Sequence, residues 1–582
     1  MLTKLRYFWT YWLKEEGYVL FSLSWPVSLT FFLHTLLPLT ALIFVGHVSK
    51  HKSKLLIDAT SLGISFINVT GYAIIFGLST AIDTLSSQAY GAGNYKRVGV
   101  ILQRSVLVCS LSLFPIAVVF LNAESILLIL HQSPCVARLT GKFCKILVIA
   151  LPVLYLEVIF VKYLQSQGIV KPAIVTGIIS NVVNIISLTL LLFVAGLEIE
   201  GAAIATALGS FSLFISIVIY MFFRKPTNKT WQGLNWNCLK EWKPYLWLAI
   251  PGVFMVCGEW WTFEIGGFVT GSVDGVQLAA YTITLNLASS GFVIPYGIGT
   301  AAGIRVGNLL GAGEPGKAKK SAAVAVLFAI LFGIMEMVLL FSFRNIGELF
   351  TSDRDVIETI GKVTYLLAVF VFTDNTQAVL GGVLRGCGKQ LLVAVSNIGS
   401  FYLLGLPVSL TLVYAADMGA LGFWVGCAVG SVAQLILVSI LTLRIDFKLE
   451  SHKAQINAEA EHIKTPITTE SDSLQHDDME DEGVNTSNTE LNDDDEDIEM
   501  RALVTEEENN TSDEEEDETT SPIKLLLIRT PWYIIGLVIL ITGVVLSQYT
   551  IHVPYQAQCD DVHSNNLTNN TNLTMDYLSY QL

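Results

Sequence analysis

Three carboxylates sit where an apolar chain has no ordinary use for them. The stretch IPGVFMVCGEWWTFEIGGFVTG carries Glu259 and Glu264, and VFVFTDNTQAVLGG carries Asp374. A charge in lipid is costly unless it is paired, hydrated or protonated, so acids at such depth read first as ion or proton sites. A buried structural hydrogen-bond partner is the alternative for each. Five residues of helix turn Glu259 and Glu264 about 140° apart. One is therefore expected to face a cleft and the other the protein interior. Asn375, Thr376 and Gln377 follow Asp374, and lipid would not tolerate that polar patch, so it must face protein or water. Acids grouped in this way can exchange protons with a gradient, and proton uptake would release a bound cation.

Other side chains extend the same reading. Trp260, Trp261, Phe263 and Tyr281 offer ring faces to organic cations, although such rings are also ordinary in membrane helices. Asn286, after Thr282 and Thr284, and Asn68 are either cleft groups or amides that tie helices together. Asp83 is expected to serve as a cap or gate, and His34 as a polar site group or a packing residue. Eight scattered cysteines give no metal spacing. The pairs Gly91 and Gly93, and Gly311 and Gly313, form GxG corners without the GxxxxGK[ST] spacing of a phosphate loop. No enzyme activity, metal, cofactor or nucleic-acid partner is expected.

The elements that position these residues are apolar helices. The chain is 52% hydrophobic and 15% charged, with a mean hydropathy of +0.56, which excludes an ordinary soluble domain and makes the lipid bilayer its surroundings. Twelve runs of spanning length form two sets of six. Lys and Arg concentrate in the even-numbered connections, placing these and the amino terminus in the cytosol. Gly77, Thr80, Ala81, Gly91, Ala92 and Gly93 recur as Gly297, Thr300, Ala301, Gly311, Ala312 and Gly313, an offset of 220. Pro26 and Pro251 begin the first and seventh runs. Two lobes of like orientation with a central cleft follow, and the corner glycines read as tight turns and an inner seal.

The resulting division is a cytosolic amino terminus (1–19), a first lobe (20–223), a linker (224–245), a second lobe (246–442), an acidic disordered cytosolic linker (443–529), a thirteenth spanning helix (530–548) and an extracellular tail (549–582). Residues 451–520 hold 25 acidic and 3 basic side chains against a whole-chain charge of −15. The acidity thus belongs to one segment, which is suited to solubility, phosphorylation at Ser512 or a cytosolic protein partner. Asn566, Asn569 and Asn572 are glycosylation sequons. Cys135 and Cys144 are either an external disulfide or two free thiols.

Five stretches together carry a family likeness: FVGH at 44–47, INVTGYAIIFGLSTAIDTLSSQAYGAGN at 67–94, AIPGVFMVCGEWWTFEIG at 249–266, RVGNLLGAG at 305–313 and GGVLRGCG at 381–388. The chain resembles the multidrug and toxin extrusion (MATE) family, in its eukaryotic branch and with animal members in particular, over residues 15–450. The resemblance implies an all-α polytopic fold of two six-helix lobes in a V, plus the thirteenth helix, and alternating-access export of organic cations, drugs or toxins in exchange for protons, or for sodium. Glu259 and Glu264 match the family's paired glutamates, and Asp374 stands where animal members have glutamate. Asn68 matches a first-lobe asparagine, Asn286 replaces a frequent glutamate and Phe31 a glutamine. An exchanger of neutral or anionic metabolites and a scaffold recruiting partners through the acidic segment are the alternative functions. The plasma membrane is the expected location, with an internal vesicle membrane as alternative.

Overall fold

Long apolar runs in lipid satisfy their backbone groups only by closing them internally. The computed structural model, which describes residues 2–48, 52–225, 228–343, 346–459 and 522–549, is accordingly helical in every regular element described. The first lobe contains α1 (Leu2–Val48), α2 (Ser53–Ile67) running through a wide π-helical turn (Asn68–Tyr72) into α3 (Ala73–Gly91), α4 (Tyr95–Leu121), α5 (Ala123–Ile129), α6 (Pro134–Leu147), α7 (Leu151–Ser166), α8 (Lys171–Leu188) and α9 (Ile199–Arg224). The second contains α10 (Trp242–Gly271), α11 (Gly275–Gly311), α12 (Pro315–Ser342), α13 (Arg354–Gly386), α14 (Gln390–Ile398), α15 (Leu406–Tyr414) and α16 (Gly419–Leu443). Beyond them lie α17 (Phe447–Glu459) and α18 (Pro522–Tyr549). Among the described residues twelve helices are long and apolar enough to cross a membrane, or thirteen when α6 and α7 count as one span bent by 60°.

The two halves pair corresponding helices, the first span of each lobe with its fifth. In the first, the Asn181 amide donates to Leu33 O at 2.9 Å; in the second, the Asn397 amide donates to Met255 O at 3.0 Å. Besides the turn at Asn68–Tyr72, the fifth span of each lobe carries a π-helical turn, at Thr189–Val194 and at Gly399–Gly405. Wide turns of this kind leave the regular hydrogen-bond ladder and are frequent at functional positions.

The lobes meet where α3 and α11 end. A Cβ on Gly91 would fall on the Asn308 carbonyl, and one on Gly311 would fall on the Gln88 carbonyl. Gln88 and Asn308 are themselves 220 residues apart, so the repeated motif packs against its own copy across a pseudo-twofold axis. Gly93 and Gly313, with φ of 77° and 73°, then stop the two helices in the left-handed conformation that glycine adopts without steric cost. Thr84 Oγ1 donates to Arg385 O at 2.6 Å and Gln390 Nε2 donates to Thr80 O at 3.1 Å, which closes the seam further.

Two expectations need correction. Residues 447–459, assigned to a disordered linker, form α17, which lies across both glycine corners: Ser451 Oγ donates to Leu310 O at 2.8 Å, Asn94 Nδ2 donates to Ala458 O at 2.7 Å, and Lys389 pairs with Glu450 at 2.8 Å. Those partners hold its polar groups where a solvated linker would have none. Cys144 is a buried free thiol and Cys135 is disulfide-bonded, so the two do not pair with each other. The thirteenth spanning helix is present as α18 and packs on α4, where Tyr533 OH donates to Leu107 O at 2.7 Å and Asn122 Nδ2 donates to Gly543 O at 3.2 Å. Ser512, Asn566, Asn569 and Asn572 lie outside the described residues.

Replacing Gly311 by Ala should push the Gln88 backbone away and destabilise the detergent-purified protein by about 2 kcal/mol, read as a lower melting temperature. Gly267→Ala, on α10 with nothing within 4 Å, should melt no lower than the parent because it gains about 1 kcal/mol of helix propensity.

Candidate functional site

Glu259 and Glu264 diverge on α10 as their spacing requires. Glu264 turns toward the first lobe, where Ser65 Oγ on α2 donates to its Oε1 at 2.5 Å. Trp261, 43% exposed, reaches the same wall and donates from Nε1 to Val69 O at 3.1 Å. Asn68 is half-buried and opens the π-helical turn one helical turn beyond Ser65. Glu259 points instead into the second lobe, within electrostatic reach of Asp374 on α13 and of Arg385. Asp374 is buried and accepts from Gln377 Nε2 at 3.1 Å. Asn375, Thr376 and Gln377 are buried with it, so the whole patch faces protein.

The remaining sequence candidates separate. Tyr281 is a correction: it is 1% exposed, donates to Phe263 O at 2.6 Å and packs edge-on to Phe423. Its ring belongs to the second-lobe core, and its hydroxyl is engaged there. Trp260 packs against the core formed by Met255, Val256 and Val393. Asn286 is exposed and turns its amide back onto Thr282 O at 2.9 Å, so it ties no helices together. Asp83 is neither a helix cap nor free: Lys162 Nζ donates to its Oδ2 at 2.5 Å in a buried pair. Phe31 stacks on Tyr296 at 4.2 Å between ring centroids, with Phe76 5.8 Å from the same ring. These three rings from α1, α3 and α11 form an aromatic junction between the lobes.

Two acids escaped the sequence reading. Glu157 on α7 pairs with His34 Nε2 at 2.8 Å. Glu336 on α12 is buried and accepts from Asn375 Nδ2 at 2.7 Å. Both were visible by the criterion that selected Glu259, since each is a lone acid in an apolar run. A separate groove of about 760 Å³ opens between α1, α11 and α12, lined by Phe21, Trp25, Phe32, Ile294, Phe328 and Met335 among others. It contains none of the acids. Among the described residues no three His, Cys, Asp or Glu side chains gather as a metal site.

The fourth and tenth spans thus supply opposite chemistry. In the first lobe every buried acid just described has a basic partner, Asp83 with Lys162 and Glu157 with His34. In the second, Glu264, Asp374 and Glu336 are held by hydroxyl or amide donors. Carboxyls held only by neutral donors in low dielectric are those whose charge an ion or a cationic ligand can change.

Known proteins share this layout. The MatE family model matches residues 26–190 and 251–411, one stretch in each lobe. Multidrug and toxin extrusion protein 1 of Rattus norvegicus is 40% identical over 446 residues, 76% of this chain and 78% of its own length. The Homo sapiens protein of the same name is 39% identical over 446 residues, with the same coverage. The crystal structure of the eukaryotic MATE transporter AtDTX14 superposes with a TM-score of 0.73 at 28% identity, covering 77% of this chain and 100% of that one. With a doubled six-helix lobe, a self-packing glycine repeat and a family match in each half, the chain belongs to the MATE family of membrane transporters.

Proposed function

We propose that the protein is a proton-coupled antiporter that exports organic cations by alternating access. The observation that carries this reading is the divergence of the α10 acids: Glu264 meets Ser65 across the inter-lobe seam while Glu259 lies near Asp374 inside the second lobe. A cationic solute in the cleft is attracted to the ionised acids. Protons taken up by the same carboxyls remove that attraction, so one site serves solute and ion in turn. Trp261 offers an exposed ring beside Glu264 for the apolar part of such a solute, and Asn68 and Asn286 offer neutral polar contacts. The proton is favoured over sodium because neighbouring carboxyls bind it without a shell of several oxygen ligands.

Topology completes the reading. The ends of α3 and α11 carry the basic connections and are placed in the cytosol, so the described state is closed on that side. Residence in the plasma membrane follows for export from the cell, and the same orientation in an internal vesicle would load that compartment. α17 ends beside the seal, and the acidic sequence that follows it would offer a cytosolic partner its charge. Nothing in the proposed cycle calls for enzymatic chemistry or a resident cofactor.

Substituting Glu259 by Gln should reduce proton-driven uptake of a radiolabelled quaternary ammonium into proteoliposomes by about 5–150-fold, the usual span of a coupling free energy. Wild-type exchange in that variant, with protein of normal abundance and dispersity, would sink the assignment. Opposed gradients discriminate the ion: uptake should follow an imposed pH difference at equal sodium and should not respond to a sodium difference at equal pH. A panel with one cation, one zwitterion and one anion of similar size reads the effect of the neutral Asn286, with the cation expected to be carried fastest.

A further inference from the structure

We propose that Glu336 is a further coupling carboxyl of the second lobe, sharing the exchanged proton with Asp374 and Glu259. The inference rests on the proton-exchange reading above and adds a member to its site. Glu336 is 8% exposed on α12. Its Oε2 accepts from Asn375 Nδ2 at 2.7 Å, and Asn375 directly follows Asp374 in α13. Asp374 is also the charged group that acts on it, while α11 presents the bare backbone of Gly291 to its Oε1. A Cβ at Gly291 would occupy the place of that carboxylate. The niche is thus cut for a carboxyl group between three helices.

A structural carboxylate would be held by cationic or multiple donors, as Glu16 is by two nitrogens of Arg305 at 2.8 and 3.3 Å. Glu336 has one neutral donor. Proton transfer here forms an O–H bond on one carboxyl as another carboxyl loses its proton, with no change elsewhere, so the three acids hold a shared number of protons.

Glu336→Gln keeps the shape and the oxygen acceptor for Asn375 while removing the titration. The expected result is a folded, substrate-binding protein whose pH–rate midpoint for proton-driven exchange is displaced by about one pH unit, a tenfold change in proton binding. Proton uptake per substrate released, measured calorimetrically in buffers of different ionisation enthalpy, should fall as well. Gly291→Ala, which only pushes aside the flexible end of Glu336, should displace the midpoint with the acid still present. A pH–rate profile in Glu336→Gln that superposes on the parent's overturns the inference and leaves Glu336 as a strut between α12 and α13. Glu259→Gln run in parallel separates the failures: lost exchange there with an unchanged Glu336→Gln rejects this proposal alone, while unchanged exchange in both rejects the coupling reading itself.

Discussion

The close approach of α3 and α11 constrains everything else in the molecule. Two helices can bring backbone against backbone only where no Cβ intervenes, and here the requirement falls on Gly91 and Gly311 at once. Because each meets the copy of a residue from the other half, the contact is symmetric about one axis. That axis sets the lobes, and the lobes set the cleft. The same rule recurs at a distance: Gly77 meets the backbone of Val253 on α10, and its counterpart Gly297 meets Ser24 and Ser28 on α1. A seam built from small residues and carbonyl contacts has little interdigitating side-chain bulk. It can part as a unit, which suits an interface that opens and recloses.

On this symmetric frame the charges are deliberately unlike. The first lobe pairs its buried acids with Lys162 and His34, and a buried ion pair resists losing either partner because the survivor would be uncompensated. The second lobe's acids accept instead from Ser65 of the first lobe and from Gln377 and Asn375 of their own, and neutral donors hold a carboxyl in place without fixing its charge. On the proposed cycle the first half would serve as the support and the second as the half whose charge changes with its ligands.

Much of this was legible in the chain. The 220-residue offset fixes the doubled architecture, because a repeated glycine corner has meaning only if two like units are built around it. Glu259, Glu264 and Asp374 announce themselves as acids in apolar helices, and the angular spacing of the first two foretells their separation. Glu336 and Glu157 obey the same rule and were passed over because neither stands beside a polar cluster like that around Asp374. Tyr281 misled for a different reason: a tyrosine near acids looks like a ligand contact, but helix phase alone does not reveal that Phe423 and Trp424 close over it. Composition also hid α17, since a polar helix without an apolar stripe looks the same as a linker until its partners Leu310, Asn94 and Lys389 are known.

Arg385 connects the acids to the seam. Its carbonyl accepts from Thr84 of the opposite lobe at 2.6 Å, while its guanidinium lies within electrostatic reach of Glu259 on one side and of Lys162 on the other. Two cations thus face each other across the interface, one counterbalanced by Asp83 in the first lobe and the other by Glu259 in the second. On the proposed cycle a proton arriving at Glu259 cancels one of those counter-charges and leaves the repulsion between Arg385 and Lys162 less compensated. The interaction weakened first is the one beside the α3–α11 contact, so protonation favours parting of the end now sealed. Solute binding has the opposite sign, since a cation that keeps Glu259 ionised preserves the counter-charge and with it the seal. On that cycle a single carboxyl that alters the balance at the seam would supply the differential interaction that any two-state device needs, with the sign that proton entry and solute export require.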